Sequence, residues 1–442
     1  MFVDSKTASS ASPQRRPSPF TALFPLLKGR GPGQLVLQYT DACNARCPQC
    51  SMRVTERFKR SKMDLDSAKR IIDAAAQRGV KALSFTGGEP LLYLDEIVDL
   101  LKHARAAGIN FTRTGTNGFL FANPERPDYL NRVTETVERL AESGLYTFWI
   151  SIDSADPGVH EQMRGLSGVI DGIEMALPIF HANGIYPSAN LGINKNIGGS
   201  SQAPSPVPAE FFGFYRAAFQ KFYNLIIDLG FTIVNVCYPM SIEENNGNGL
   251  QAVYGATDAG GITRYTPAER ELVFTALFQA ITEFRHRIRI FSPRSSLFSL
   301  IRQQRGGDRA GHPCRGGTDY FFIDARDGNT YPCGYRGSEN LGKFWDLGPA
   351  QIDQRPSCKK CDWECFRDPS EMIGPLISLF SAPRLFYNKI LRDEQFRKLW
   401  LEDIKYFKAC DFFDCSKATD FGKLAIFGHQ QKGSEQLRTA GS

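Results

Sequence analysis

The chain has 442 residues, 42% of them hydrophobic and 23% charged, with a formal charge of +6 and a pI near 8.7. That length supports two domains, or one large domain with an appendage. The ordinary composition excludes a disordered or fibrous chain, and the mild, dispersed positive charge marks a solvated surface with no nucleic-acid footprint. Eleven cysteines, an odd number grouped at ligand spacings, exclude a secreted disulfide framework and predict a reducing, cytoplasmic setting.

Residues 1–32 begin with Ser, Pro, Ala and Arg and read as a disordered tail. No apolar core of signal-peptide length is present, nor a run of ~18 apolar residues anywhere, so a soluble protein is expected. Strands are predicted over 35–40, 81–86, 110–116, 146–152, 186–193 and 231–238, and helices over 64–78, 94–107, 127–143, 168–183, 208–229 and 266–288. Such alternation argues for a parallel sheet with helices outside.

The first strand runs into Cys43-Asn44-Ala45-Arg46-Cys47-Pro48-Gln49-Cys50, which places three thiols on one short loop. An iron–sulfur cluster normally takes four cysteines, so a cluster held here keeps one iron open to another ligand. The same spacing also suits a structural zinc site or simply buried cysteines. The second strand runs into Gly87-Gly88-Glu89-Pro90. Paired glycines let backbone approach a ligand closely, and a carboxylate beside them can accept from a bound ammonium group; a plain strand-to-helix turn is the alternative.

Together, CxxxCxxC after one strand and GGEP after the next resemble the radical S-adenosylmethionine (radical SAM) superfamily. The resemblance implies an α/β fold, a partial (β/α)6 TIM-type barrel over residues 33–300. It also implies a [4Fe–4S] cluster on Cys43, Cys47 and Cys50, with S-adenosylmethionine (AdoMet) chelating the open iron and Gly87, Gly88, Glu89 and Pro90 binding its amino group. Positions after strands three and four in that family touch the cofactor's carboxylate and ribose. This makes Thr116 and Ser151 candidates, with Asn117 and Asp153 behind them; any of these residues also suits a cap or turn. His160 has no evident partner in the sequence and is expected to be structural.

Two Gly-, Ser- and Asn-rich stretches, 196–208 and 243–263, follow strands and are expected near the substrate. Cys237 lies within a predicted strand and reads as core. Beyond the barrel, Cys314 precedes the strand-like Tyr320-Phe321-Phe322-Ile323-Asp324, Asp327-Gly328 signals a hairpin, and Cys333 follows it. A CxxC at Cys358 and Cys361 comes next, then Cys365. Four such thiols suit zinc or a second cluster. The stretch is similar to the SPASM/twitch extension of radical SAM enzymes, which implies an auxiliary [4Fe–4S] cluster on Cys314, Cys333, Cys358 and Cys361 in a domain over 310–370. Cys365 is the possible swap, and a second auxiliary cluster is the alternative count. The full SPASM spacing is missing after Cys361. In sulfatase-maturating relatives an Asp follows the hairpin cysteine as a base; Gly334 stands here, so no catalytic base is assigned. Cys410 and Cys415 are expected to be buried.

Residues 371–442 read as helices packing on the cluster domain, with membrane-surface contact a lesser option for a basic amphipathic stretch. The resemblance implies reductive cleavage of AdoMet to a 5′-deoxyadenosyl radical that takes hydrogen from a substrate C–H, an auxiliary cluster that takes part in electron transfer, and a reducing partner such as flavodoxin or ferredoxin. With only a short stretch before the first strand, a small-molecule substrate (a sugar, cyclitol or other secondary metabolite) is expected. A peptide- or protein-modifying maturase is the enzymatic alternative, and a zinc-binding interaction module the non-enzymatic one.

Overall fold

A computed structural model describes residues 26–45, 47–50, 60–199, 204–239, 250–253, 261–307, 311–353 and 355–428. Seven strands run parallel in chain order: β1 (Gly33–Thr40), β2 (Val80–Gly87), β3 (Phe111–Thr116), β4 (Thr147–Ser151), β5 (Ser188–Gly192), β6 (Ile233–Cys237) and β7 (Arg289–Ile290). Helices α1 (Leu65–Gln77), α2 (Leu94–Ala106), α3 (Tyr129–Glu142), α4 (Pro157–Arg164), α5 (Val169–Ala182), α6 (Pro208–Asp228) and α7 (Pro267–Phe284) return the chain between them. The expected strand and helix alternation from 35 to 290 is present, with boundaries moved by a few residues.

Three of the connecting helices start at side-chain caps. Asp64 and Asp156 accept from the Ser67 and Val159 backbone N–H groups, and Thr266 with Glu269 forms a reciprocal capping box at α7. The inward faces of α1, α2, α3, α5 and α6 bury Ile71, Leu101, Val137, Ile173 and Phe219 against the outer face of the sheet. The sheet stays open, as the partial barrel requires: β7 forms one end, and β1 at the other end pairs with no barrel strand except β2.

After β7 and helix α8 (Arg294–Gln304), strand β8 (Tyr320–Ile323) pairs in parallel with β1, with Leu35 opposite Phe321, and β9 (Thr330–Tyr331) returns antiparallel beside it. The hairpin expected in a separate cluster domain therefore extends the barrel sheet itself. Its turn forms at Gly328, whose N–H donates to Asp324 O at 2.9 Å and whose φ of +63° suits glycine.

Helix α9 (Glu364–Ser381) closes the open side of the half-barrel. Its start is tied to β1, where Gln34 Nε2 donates to Cys365 O at 3.0 Å. Its middle is tied to α8, where Ser296 Oγ donates to Asp368 and Ser299 Oγ to Glu371 Oε1 at 2.9 Å. Beyond it, α10 (Glu394–Ala409) and α11 (Phe421–Ala425) pack on α8 and the β7 end of the sheet, where Tyr406 donates to Ile288 O and accepts from Ile290 N, both at 2.9 Å. Cys410 and Cys415 are buried in this core, as expected for structural thiols. Among the described residues no helix is long and apolar enough to cross a membrane.

Glu371 anchors α9 from a fully buried position. It accepts from the His312 backbone N–H at 2.7 Å as well as from Ser299. Burial works against its charge, but the His312 side chain and Arg367 hold its carboxyl down at about 2. Replacing Glu371 by Ala strands these donors and should lower stability by ~3–5 kcal/mol, read as a drop in the denaturation midpoint. Because the folded-state value lies below the unfolded one, the Glu371 contribution is complete above the ordinary carboxyl range. It should be lost as pH falls towards 2.

Candidate active site

The cysteine loop leaves the C-terminal end of β1 and is held there by the β2 end. Gly88 N donates to Thr40 O and Glu89 N to Ala42 O, both at 2.8 Å. A Cβ on Gly87 would lie 2.1 Å from Thr40 O, and one on Gly88 the same distance from Ala42 O. The paired glycines are therefore demanded by backbone packing against the cysteine loop itself, beyond any need of a ligand. Pro90 starts a short 3₁₀ turn over Pro90–Tyr93 that Glu89 caps.

Glu89 is 1% exposed. Its carboxylate accepts from Asn117 N at 2.6 Å and from Leu91 N at 3.0 Å, which ties the end of β2 to the end of β3. Burial lifts its carboxyl to about 7 despite these donors. Asn117 in turn reaches the loop: its Nδ2 donates to Asn44 Oδ1 at 2.9 Å and to Cys43 Sγ at 3.6 Å. Thr116 is buried and accepts from Gly118 N at 3.1 Å, a turn role. Ser151 ends β4, half-buried.

Asp153 completes the ring from β4. Its Oδ2 accepts from Gln49 Nε2 at 2.7 Å and pairs with Arg164 at 2.7 Å, both partners buried. Burial opposes the Arg164 charge, but Asp153 and the thiols of Cys47 and Cys50 raise its pKa. His160 is structural, as expected: its Nδ1 accepts from Asp153 N at 3.1 Å, which leaves the proton on Nε2. Burial first, then Arg164, hold it well below the usual imidazole range and so neutral.

Four sequence-predicted groups are thus brought together: the Cys43–Cys50 loop, GGEP, Asn117 and Asp153. Three buried polar atoms in this ring have no partner among the described residues: Gln49 Oε1, Arg164 Nε and His160 Nε2. Buried polar atoms are nearly always satisfied, so these are the atoms of the ring that a polar ligand could still satisfy. Burial raises the pKa of Cys43 and pushes the Cys47 thiol up to about 12. Such thiols are inert unless a bound metal takes their protons.

Four of the seven candidate ligand thiols share a backbone feature. The amide two residues on donates back to the sulfur at Cys43 (Ala45 N, 3.4 Å), Cys314 (Gly316 N, 3.5 Å) and Cys333 (Tyr335 N, 3.4 Å), and the Trp363 amide does so at Cys361. N–H donors aimed at sulfur stabilise thiolate and are a recognised means of tuning iron–sulfur centres. Cys314 N also donates to Cys358 O at 2.8 Å. A Cβ on Gly316 would lie 3.4 Å from that of Cys333, so the hairpin end and the CxxC meet. Cys314, Cys333, Cys358 and Cys361 act electrostatically on one another.

Cys365 stands apart. It lies in the first turn of α9, its thiol donates to Glu364 Oε1 at 3.5 Å, and its charged neighbours are Glu364, Arg113 and Asp368. A residue four positions along a helix from the CxxC faces the barrel instead. Cys237, expected in the core, is the half-buried last residue of β6 on the same inner wall, with its thiol donating to Asn190 Oδ1 at 3.4 Å. Of the two expected substrate loops, residues 200–203, 240–249 and 254–260 lie outside the described residues. Among the described residues, no three or more His, Cys, Asp or Glu side chains are grouped as the ligands of a single metal ion.

Within the half-barrel lies a cavity of about 560 Å³, running from Gln34 and Phe111 at the strand starts to Thr86, Gly87 and Cys237 at the strand ends. Volumes of this order suit small-molecule sites. The upper end of the cavity meets the β2 end that holds the cysteine loop.

A parallel half-barrel with a three-cysteine loop at the C-terminal edge of its first strand defines a cluster-dependent, AdoMet-binding class. The family model described as the radical SAM superfamily matches residues 37–191, and that stretch of the chain is a radical SAM domain. Among curated relatives, the AdoMet-dependent heme synthase of Methanosarcina barkeri is 22% identical over 69% of this chain and 77% of that protein. A GTP 3′,8-cyclase of Synechococcus sp. is 35% identical, over 32% of this chain and 37% of its own length. A PqqA peptide cyclase of Xanthomonas campestris is 26% identical over 37% of this chain and 40% of its own. The chain thus spans half or less of the cyclases it matches. A solved structure of Streptococcus suis SuiB bound to S-adenosylmethionine aligns with a TM-score of 0.45 and 18% identity, covering 68% of this chain and 60% of that one.

Replacing Gly88 by Ala should push the Ala42 carbonyl away and move the cysteine loop. The expected result is a loss of ~1–3 kcal/mol, as for an overpacked core position, with less iron retained on that loop after anaerobic purification. Both are read by thermal denaturation and iron assay.

Proposed function

We propose that this chain reductively cleaves AdoMet at a [4Fe–4S] cluster held by Cys43, Cys47 and Cys50 and uses the product to take hydrogen from a C–H bond of a small molecule in the barrel cavity. With cluster and AdoMet bound, the pair supplies a 5′-deoxyadenosyl radical, chemistry that no side chain provides. The protein's own residues position and enclose it. The Gly87–Glu89 backbone fixes the loop, Asn117 and Ala45 donate towards Cys43, and Gln49 and Arg164 offer polar atoms to the cofactor. Helix α9 covers the open side of the barrel and excludes water from the reacting carbon. The observation that carries this reading is the docking of the three-cysteine loop on the GGEP backbone at the mouth of the cavity.

Cys314, Cys333, Cys358 and Cys361 are proposed to hold one auxiliary [4Fe–4S] cluster that exchanges an electron with the substrate, with a low-potential flavodoxin or ferredoxin supplying the first cluster. The relation to a PqqA peptide cyclase supports a second reading, in which a short peptide segment enters the same cavity.

After anaerobic reconstitution with AdoMet and a strong reductant, the wild-type chain should form 5′-deoxyadenosine, measured by chromatography. The Cys43, Cys47 and Cys50 triple Ala variant should form none, and persistent cleavage there contradicts the assignment. Cys361→Ala should lose the auxiliary cluster's iron and sulfide while Cys365→Ala keeps the wild-type content. Equal losses in the two variants would contradict the four-cysteine site.

A further inference from the structure

Arg113 lies in the middle of β3 and opens on the barrel cavity. Its Nε is fully buried and finds no acceptor among the described residues. Burial works against its charge, and its electrostatic neighbours are the Cys365 thiol and the Tyr146 and Tyr320 hydroxyls, with no carboxylate among them. The two carboxyls on the cavity wall have donors of their own. Asp368 accepts from Ser296 Oγ at 2.5 Å and Tyr238 O–H at 3.1 Å, and Glu364 accepts from Tyr238 N at 3.3 Å as well as from Cys365. Burial raises both carboxyls, to about 8 and about 7, and neither is among the groups that act on Arg113.

A half-buried guanidinium in a largely apolar cavity without a counter-ion is costly, and the cost is reduced by an anion that fits its planar fork. Arg113 lies three residues before the end of β3 at Thr116, ~10 Å below the strand ends at strand rise. That is the length of a small molecule with its anion held deep and its reacting carbon at the cluster end.

We propose that the barrel cavity is an anion-selective substrate site in which Arg113 pairs with a carboxylate or phosphate group of the substrate. This rests on the cavity being the substrate site of the proposed reaction, but it is tested by binding alone, without AdoMet cleavage. The probes are 1-naphthoate, 1-naphthyl phosphate and the uncharged isostere 1-naphthamide, titrated by calorimetry into the anaerobically purified full chain.

At least one anion should bind about tenfold or more tighter than the amide, a difference of ~1.4 kcal/mol, and the better of the two identifies the anion type. In Arg113→Met that preference should collapse to within about twofold, while the amide binds as before and so reports an intact cavity. Arg113→Lys should recover part of it. Equal binding of amide and anions to the wild-type chain overturns the proposal even if the Met variant fails to fold, and so does a preference that survives Arg113→Met. A chain that shows the preference but forms no 5′-deoxyadenosine would keep the anion site and refute the radical chemistry.

Discussion

The molecule depends on one backbone junction: the segment Thr40–Ala42 leaving β1 is hydrogen-bonded directly to Gly88 and Glu89 leaving β2. No side chain fits between these two strands' ends, so the cysteine loop is set against a rigid sheet edge. From that junction the order spreads sideways. Glu89 binds the β3 end through the Asn117 amide, Asn117 binds the loop at Asn44 and Cys43, and Asp153 from β4 binds it again through Gln49. Three adjacent strand ends thereby converge on a loop that by itself has little regular structure.

The second sulfur site belongs to the same sheet. Because β8 pairs with β1, the Cys314 and Cys333 ends of the hairpin are carried by a strand whose neighbour also carries the first loop. Helix α9 then links this region back to α8 across the open side of the half-barrel. One frame therefore holds two groups of buried and half-buried thiols and borders a cavity. The glycine pair and the amide donors to sulfur act through the backbone.

Much of this was legible in the sequence. Period and punctuation placed the first six of the seven parallel strands and all but one of the helices between them, though β7 and α4 were too short to register. The two motifs located the cofactor end. Helix α9 was missed at its start because Pro369 and Pro375 lie inside it, and proline normally marks a helix boundary. Cys365 lies in the first turn of that helix, a placement that no spacing in the sequence gives. Cys237 was read as core because strand periodicity does not distinguish a filled barrel from a hollow one. Arg113 went unnoticed for the same reason: on a strand that reads as half polar, nothing in the sequence tells an inward arginine from an outward one. The pairing of β8 with β1 joins positions nearly three hundred residues apart and has no local signal.

The most direct test of the central claim is electron–nuclear double resonance on the reduced, oxygen-protected protein mixed with AdoMet labelled with ¹⁵N at its amino group. If the three-cysteine loop leaves an iron open to the cofactor, the reduced cluster signal will show ¹⁵N coupling from direct coordination, and the signal of the four-cysteine cluster will show none. A reduced protein whose cluster signals carry no ¹⁵N coupling, or that has no cluster signal at all, would contradict it.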